Sequence, residues 1–116
     1  MKIGQMQRAI SIEVVFMDNL RIKLQYYGAI REIVGKPEEE KNLDKEVPVL
    51  DFLRNITYDY GSKLHEEIFD LATNDVRKDV MLMLNGITLG REKLPNTLLK
   101  PGDELALLPT FPGGGF

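Results

Sequence analysis

The stretch LKPGDELALLP, residues 99–109, combines a tight turn with an alternating apolar segment. Within KPGD (100–103), Pro101 fixes φ and Gly102 supplies a left-handed residue, so the chemistry predicts a type II turn. Glu104 to Leu108 then predicts the last strand of the fold. A strand this late in the chain needs a partner from earlier in the sequence, and we expect the first and last strands to lie side by side, parallel, at the centre of a sheet.

The segments that precede this turn alternate between strand and helix patterns. In chain order they predict a strand marked by Ile10, Ile12 and Val14, a strand over 20–27, and a short helical turn over 29–34 that stops at Gly35. A polar loop over 36–41 and a short strand over 43–47 follow. Next come a helix from Pro48 to Gly61 with an apolar stripe of Val49, Leu53, Ile56 and Tyr60, and a shorter helix marked by Leu64, Ile68, Leu71 and Ala72. The last of these segments are a buried strand over 80–84 and an Asn85-Gly86 hairpin that returns through 87–89. This order predicts an α+β fold with one mixed sheet against one helical face.

Composition limits the kinds of function that the chain can have. Of 116 residues, 43% are hydrophobic, and 15 Lys and Arg stand against 18 Asp and Glu. This weak net charge disfavours a non-specific nucleic-acid binder. The chain has no cysteine and one histidine, His65, which excludes disulfides, cysteine nucleophiles and a Cys/His zinc site. No carboxylate cluster has convincing metal spacing, and no apolar run could span a bilayer. We therefore expect a soluble cytoplasmic protein without a metal site.

The glycine-rich tail PTFPGGGF, residues 109–116, has no capacity to pack a core. On its own, such an end is usually only mobile. Glycines lack a Cβ, so the backbone can also thread a narrow channel and take either sign of φ. Pro109 and Pro112 restrict φ at their own positions, which reduces the entropy lost when the tail becomes ordered.

Five pieces occur together in one order and carry a family resemblance. They are LRIKLQYYGAIREIVGK (20–36), VPVLDFLRNI (47–56), VMLMLNG (80–86), LKPGDELALLP (99–109) and the glycine end. This combination resembles the β-grasp sulfur carriers, especially the small subunit of molybdopterin synthase, over residues 20–114. The resemblance implies an α+β, ubiquitin-like β-grasp domain over 20–109, in which a mixed sheet of four to five strands packs against one main helix, followed by a flexible tail over 110–116.

The resemblance also implies a protein that acts through its own C-terminus. An ATP-dependent adenylyltransferase of the ubiquitin-activating type adenylates a terminal glycine carboxylate, and sulfur then displaces AMP to leave a thiocarboxylate. In the molybdopterin member, the tail enters a large catalytic subunit and donates its sulfur to a pterin precursor. Such a carrier has no catalytic residues and binds no cofactor, since ATP is used by the activating enzyme. The alternatives are a ubiquitin-like modifier of lysines and a sulfur carrier for thiamine synthesis or tRNA thiolation.

A match to the family ending without gaps places the reactive diglycine at Gly113-Gly114. Gly115 and Phe116 are then extra residues, and a benzyl side chain should clash in a pocket shaped for glycine. A peptidase could trim the end, a different activator could accept it, or the copy could have lost carrier activity. We favour trimming, with either Gly114 or Gly115 as the final residue.

The resemblance places Tyr27, Arg31 and Leu108 where the carrier contacts its large subunit. The tail residues Pro109, Phe111 and Pro112 extend this expected partner-binding set. A mostly apolar face with one charge suits a partner that must both bind and release. The competing interpretation is that Tyr27 and Leu108 are ordinary core or rim residues and Arg31 is a solvated charge.

Three further features fall outside the proposed site. His65 lies among acidic neighbours and is expected at the surface without a catalytic role, while Met81 and Met83 are expected in the core. Residues 1–19 have no counterpart in the resemblance. We expect a loosely attached extension there, and the alternatives are a true start at Met17 and an edge strand formed by 9–16 beside 20–26.

Overall fold

A computed structural model describes residues 21–109, over which strands and helices alternate. In chain order the elements are β1 (Arg21–Tyr26), α1 (Gly28–Val34), β2 (Glu38–Asn42), α2 (Val49–Tyr60), α3 (Ser62–Ile68), β3 (Val80–Leu84), β4 (Ile87–Thr88), a 3-10 turn (Arg91–Lys93) and β5 (Glu104–Pro109). The strands form one sheet in the order β2-β1-β5-β3-β4. Strand β1 pairs parallel to β5, and the other pairs are antiparallel. The predicted α+β fold of the β-grasp type, with its parallel pair of strands, is confirmed.

Alternation along the strands divides the sheet into a buried face and an open face. The buried face lies in the single hydrophobic cluster that also contains helix residues, and its fully or nearly buried strand members are Ile22, Leu24, Tyr26, Val80, Leu82, Leu105 and Leu107. The open face consists of the side chains at the intervening positions, namely Arg21, Lys23, Gln25, Met81, Met83, Glu104, Ala106 and Leu108.

The methionines are a correction to the sequence prediction. Met81 and Met83 were expected in the core, but they lie half-buried on the open face opposite Leu108 and Ala106 of β5. The run VMLML is apolar on both faces, so its composition hides the alternation that the sheet imposes.

Helix α2 begins at Val49, one residue after the predicted start at Pro48, and it stops before Gly61 as predicted. Pro48 takes the N-cap position without a side-chain hydrogen bond, and the Gly61 N–H donates to the carbonyl of Thr57 at 2.9 Å. The apolar stripe of the helix is buried through Val49, Leu53 and Ile56, while Tyr60 is only half-buried. Phe52 and Thr57, which the stripe omitted, are buried as well.

Two predictions for the segment between α1 and α2 are wrong. A polar loop was expected over 36–41, but residues 38–42 form strand β2, which pairs antiparallel with β1. Residues 43–47 were expected to form a strand and are instead irregular. The physical reason is that β2 is an edge strand. Its residues at positions 38, 40 and 42 are exposed, and only Glu39 and Lys41 are partly covered.

Other local predictions hold with adjusted bounds. Helix α3 ends at Ile68, so Leu71 and Ala72 lie outside it and are exposed. Asn85 and Gly86 both have positive φ, at 53° and 81°, and form the predicted hairpin turn. Gly102 has φ +85°, and the Asp103 N–H donates to the Lys100 carbonyl at 3.1 Å, as a type II turn requires.

The extension over 1–19 lies outside the described residues. The edge of β1 beside which residues 9–16 were expected is occupied by β2, and the other edge is occupied by β5. Within residues 21–109, no helix has both the length and the apolar character needed to cross a bilayer.

Candidate functional site

The candidate site is the end of β5 at Pro109, which we call the exit because the predicted tail follows it in the sequence. Pro109 is the last described residue, and Phe111, Pro112, Gly113, Gly114 and Gly115 all lie outside the described part of the chain. The structure therefore describes the base of the predicted tail and the four expected partner residues nearest to it. Those four are Tyr27, Arg31, Leu108 and Pro109.

Pro109 packs against the first residue of helix α1. Gly28 has φ +57°, and a Cβ built on it would lie 2.5 Å from Cγ and 3.2 Å from Cδ of Pro109. Only glycine both adopts this left-handed conformation readily and allows such a close approach. On its other side, Pro109 is the strand partner of Val80 in β3. The chain thus leaves the sheet from a position that is bounded by α1 and β3.

Tyr27 and Arg31 form one unit beside this exit. The Tyr27 N–H donates to the Leu107 carbonyl at 3.2 Å, which attaches the residue to β5. The Arg31 Nε donates to the Tyr26 carbonyl at 2.9 Å, and its guanidinium carbon lies 5.3 Å from the centre of the Tyr27 ring. Arg31 is exposed, and Tyr27 keeps 37% of its surface accessible. Tyr27 is therefore not a core residue, and Arg31 is held by specific contacts in addition to being solvated.

Leu108 continues the site onto the open face. Its neighbour Leu107 is fully buried, whereas Leu108 is half-buried and faces the opposite side of the sheet. Met81 lies directly opposite Leu108, and Met83 lies opposite Ala106. We call the group of Leu108, Ala106, Met81 and Met83 the apolar patch. Of these four residues, only Leu108 was expected at the site from the sequence. The missed signal is the regular alternation of β3 and β5 once the two strands are paired.

Charged pairs border the apolar patch toward β1 and β2. The Lys23 ammonium lies 3.2 Å from a Glu38 carboxylate oxygen and 3.9 Å from one of Glu104. The hydrogen bond with Glu38 and the nearby negative charges raise the pKa of Lys23. The open face therefore has an apolar half near the exit of the tail and a charge-paired half away from it.

Tyr26 connects the exit to a buried polar cluster on the other side of the sheet. Its carbonyl holds Arg31, while its hydroxyl donates to the Glu39 carboxylate. Tyr60 of α2 donates to the same carboxylate oxygen at 2.7 Å. Burial raises the pKa of Tyr26 strongly, and its hydrogen bond to Glu39 adds to the effect. Each polar side chain of this cluster has a hydrogen-bond partner within it, as buried polar groups require. The cluster therefore stabilises the fold.

His65 is removed from the exit and does not take part in the site. It was expected at the surface, but it is half-buried and stacks on Phe69 with ring centres 4.9 Å apart. Its Nδ1 lies 3.4 Å from the Thr57 hydroxyl. Between Arg21 and Pro109, no group of three or more His, Asp or Glu side chains is arranged to hold a metal ion. The geometry at the exit suits presentation of a chain end and contact with a partner.

Solved structures of other proteins share this fold. None of the curated protein sequences matches the chain. A Pyrococcus furiosus structure assigned as molybdopterin converting factor, subunit 1, is 26% identical and has a TM-score of 0.61, covering 79% of this chain and 99% of the other. The small archaeal modifier protein 1 (SAMP1) of Methanosarcina acetivorans is 25% identical with a TM-score of 0.64, covering 81% and 96%.

SAMP1 from Haloferax volcanii, at 21% identity, shows the same fold with a TM-score of 0.64, over 81% of this chain and 99% of its own. The model of the ThiS family matches residues 24–114, which is most of the chain and includes the glycines Gly113 and Gly114. The match begins within β1 and runs through β5, so it covers the exit and both faces of the sheet. The chain belongs to the ThiS family of ubiquitin-like sulfur carriers.

Proposed function

We propose that this protein is the sulfur-carrying small subunit of a molybdopterin synthase. The observation that carries the proposal is the position of the end of β5. The central strand of the sheet, β5, ends at Pro109, immediately beside the apolar patch that contains Leu108 and Met81. A partner that docks on the patch receives the tail at its own surface. The similarity to the Pyrococcus furiosus converting factor subunit supports the choice of pathway.

The chemistry requires the tail to reach two active sites in turn. From Pro109 to Gly114 the extended chain spans roughly 17 Å, enough to enter a cleft in a partner enzyme. The terminal carboxylate attacks the α-phosphorus of ATP in an adenylyltransferase of the ubiquitin-activating type, and pyrophosphate leaves. A sulfur nucleophile then attacks the acyl carbon, AMP leaves, and a thiocarboxylate remains. The large subunit of the synthase accepts that sulfur onto its pterin precursor.

In this scheme the protein is a co-substrate without catalytic residues or a bound cofactor. Gly113 and Gly114 form the slim end of the tail, and a peptidase first removes Phe116, with or without Gly115. Phe111 and Pro112 line the path into the partner, while Tyr27, Arg31, Leu108 and Pro109 form the docking surface at its base. The aromatic ring of Tyr27 and the guanidinium of Arg31 are residue types that are frequent at protein interfaces.

The test is the intact mass of three chain forms after incubation with the activating enzyme, ATP and a sulfur source. The forms end at Phe116, Gly115 and Gly114, and a fourth chain that ends at Pro112 is the control. We expect one glycine-ended form to gain a mass equal to the replacement of one oxygen by sulfur. Absence of the thiocarboxylate from every form, with an activating enzyme that charges its own known carrier, contradicts the proposal.

A second candidate function is favoured by one comparison. The resemblance to SAMP1 of Methanosarcina acetivorans fits a modifier that is joined to lysine side chains through its terminal glycine. A sulfur carrier for thiamine synthesis or tRNA thiolation uses the same activated tail. Epitope-tagged protein expressed in its native cells distinguishes these functions. Higher-mass covalent adducts indicate a modifier, whereas loss of one sulfur-containing product in a deletion strain identifies the pathway of a carrier.

A further inference from the structure

We infer that Gly28 is a positioning residue for the tail, because its bare Cα forms the seat on which the Pro109 ring rests. The inference rests on the proposed function, since it assigns to Gly28 the task of fixing where the reactive chain leaves the body. Gly28 lies at the start of α1 and Pro109 at the end of β5, and they are far apart in the sequence. Their contact bounds the end of β5 on the side of α1.

The seat accepts no side chain. All three atoms nearest to a Cβ built on Gly28 belong to Pro109, with Cγ at 2.5 Å, Cδ at 3.2 Å and Cβ at 3.9 Å. Non-bonded carbon atoms pack at about 3.5–4.0 Å. A Cβ at residue 28 must therefore displace the ring by about 1 Å. The displaced residue is the one from which the tail departs.

Pro109 also needs such a seat because it has no N–H to donate to the sheet. Its strand partner Val80 donates its own N–H to the Arg77 carbonyl at 3.2 Å. The neighbouring backbone is fixed more firmly, since the Tyr27 N–H bonds to the Leu107 carbonyl. Packing of the ring on Gly28 thus holds β5 in place two residues beyond that hydrogen bond.

The ring of Pro109 belongs to the proposed docking surface, so a displaced ring changes how the protein sits on its activating enzyme. Docking that misplaces the reacting group by about 1 Å can lower the rate on the order of 100-fold. We therefore expect a side chain at residue 28 to lower kcat/KM for acyl-adenylation.

The competing explanation is that glycine is present only because φ is positive. Gly35, at the other end of α1, provides a matched control because its φ is +87° and a Cβ built on it meets no atom within 4 Å. Gly28→Ala and Gly35→Ala carry the same kind of conformational penalty. Only Gly28→Ala displaces Pro109.

The experiment compares wild type, Gly28→Ala and Gly35→Ala. The measurements are kcat and KM with the cognate activating enzyme, the thermal midpoint, and amide chemical shifts of Leu107 and Leu108. Gly28→Asn is the second variant for the case in which Gly28→Ala does not fold, because Asn tolerates left-handed backbone.

We expect Gly28→Ala to lower kcat/KM on the order of tenfold and to shift the Leu107 and Leu108 amides. Gly35→Ala should lower the thermal midpoint and change neither kcat/KM nor these shifts. The inference is overturned if Gly28→Ala and Gly35→Ala lower kcat/KM equally, or if Gly28→Ala leaves the Leu107 and Leu108 amides unshifted. If wild type itself is not adenylated, the proposed function fails, and the amide shifts alone still decide whether Gly28 seats the end of β5.

Discussion

The Tyr60 hydroxyl donates a hydrogen bond of 2.7 Å to the Glu39 carboxylate and thereby joins helix α2 to edge strand β2. Tyr26 of β1 donates to the same carboxylate from the core side. Lys36 and Lys41 approach its other oxygen at 3.4 Å and 3.9 Å. A single acidic side chain, with 11% of its surface accessible, thus holds three elements together.

Replacement of Glu39 by Gln should destabilise the protein most at neutral pH. Burial alone would raise the pKa of Glu39, but the hydrogen bonds from Tyr26 and Tyr60 outweigh it and lower the pKa below 4.5. Because the folded-state pKa is lowered, this stabilisation is full above pH 4.5 and is lost as the pH falls through the folded value. We expect Glu39→Gln to lower the free energy of unfolding by about 1–3 kcal/mol at pH 7, and by less at pH 3.

Urea unfolding of both proteins from pH 3 to pH 7 measures this difference. Glu40→Gln is the control, because Glu40 is exposed on the same strand and its 3.7 Å pair with Arg21 lies on the open face. Exposed ion pairs of this kind contribute about 0–1 kcal/mol. If the free energy of unfolding of Glu39→Gln depends on pH as that of the wild type does, other carboxylates determine the loss of stability at low pH.

Leu107 and Leu108 are adjacent but should respond to truncation in different ways. Leu107 is fully buried, so Leu107→Ala should cost about 2–5 kcal/mol of stability. Leu108 is half-buried on the open face, so Leu108→Ala should cost about 1 kcal/mol or less. Equilibrium denaturation with urea checks both values. Equal losses would mean that Leu108 contributes to the core and not to a docking surface.

A negative charge in the apolar patch should weaken partner binding without unfolding the protein. We expect Met81→Glu to raise the Kd for the activating enzyme on the order of tenfold or more, since it puts an unpaired charge into a desolvated interface. Isothermal titration calorimetry provides the measurement. Ile87→Glu is the control, because Ile87 is 73% exposed and pairs with Leu84 on the other side of the sheet. Comparable loss of affinity in both variants would locate the interface elsewhere.

Asn85 should stabilise the sheet beyond its role in the hairpin turn. Its side-chain amide donates to Asp103 at 2.9 Å, and its side-chain oxygen accepts the Glu104 N–H at 2.9 Å. Asn85→Ala removes both bonds and leaves alanine at φ 53°, so we expect a loss of about 1–3 kcal/mol. Thermal unfolding compared with exposed Asn96→Ala tests this. A thermal midpoint equal to that of Asn96→Ala would contradict it.

The parts of the fold that were predictable from the sequence are those with local chemistry. Gly102 and the pair Asn85-Gly86 are required by backbone conformations that few residues adopt. Strand β2 was missed because EEEK is equally typical of a solvated loop, and only the partners of Glu39 in β1 and α2 make it a strand. Those partners are distant in the sequence, so no local pattern contains them.

The candidate site was predicted in part for the same reason. Resemblance to a family selected Tyr27, Arg31 and Leu108, and the structure places all three at the exit of the tail. Met81 was assigned to the core because its strand is apolar throughout, and sequence alone does not reveal which face is covered. Gly28 was not identified from the sequence, because a positive φ at the start of a helix has no sequence signature of its own.

The central place of β5 has a consequence for how the protein is made. This strand lies between β1 and β3, yet it is the last of the five to leave the ribosome. A nascent chain without it has two unpaired strand edges, so the sheet can form only after β5 has been synthesised. Contacts of such long sequence separation also slow folding. Under the proposed function, an activating enzyme that recognises the assembled sheet will not act on a chain that still lacks β5.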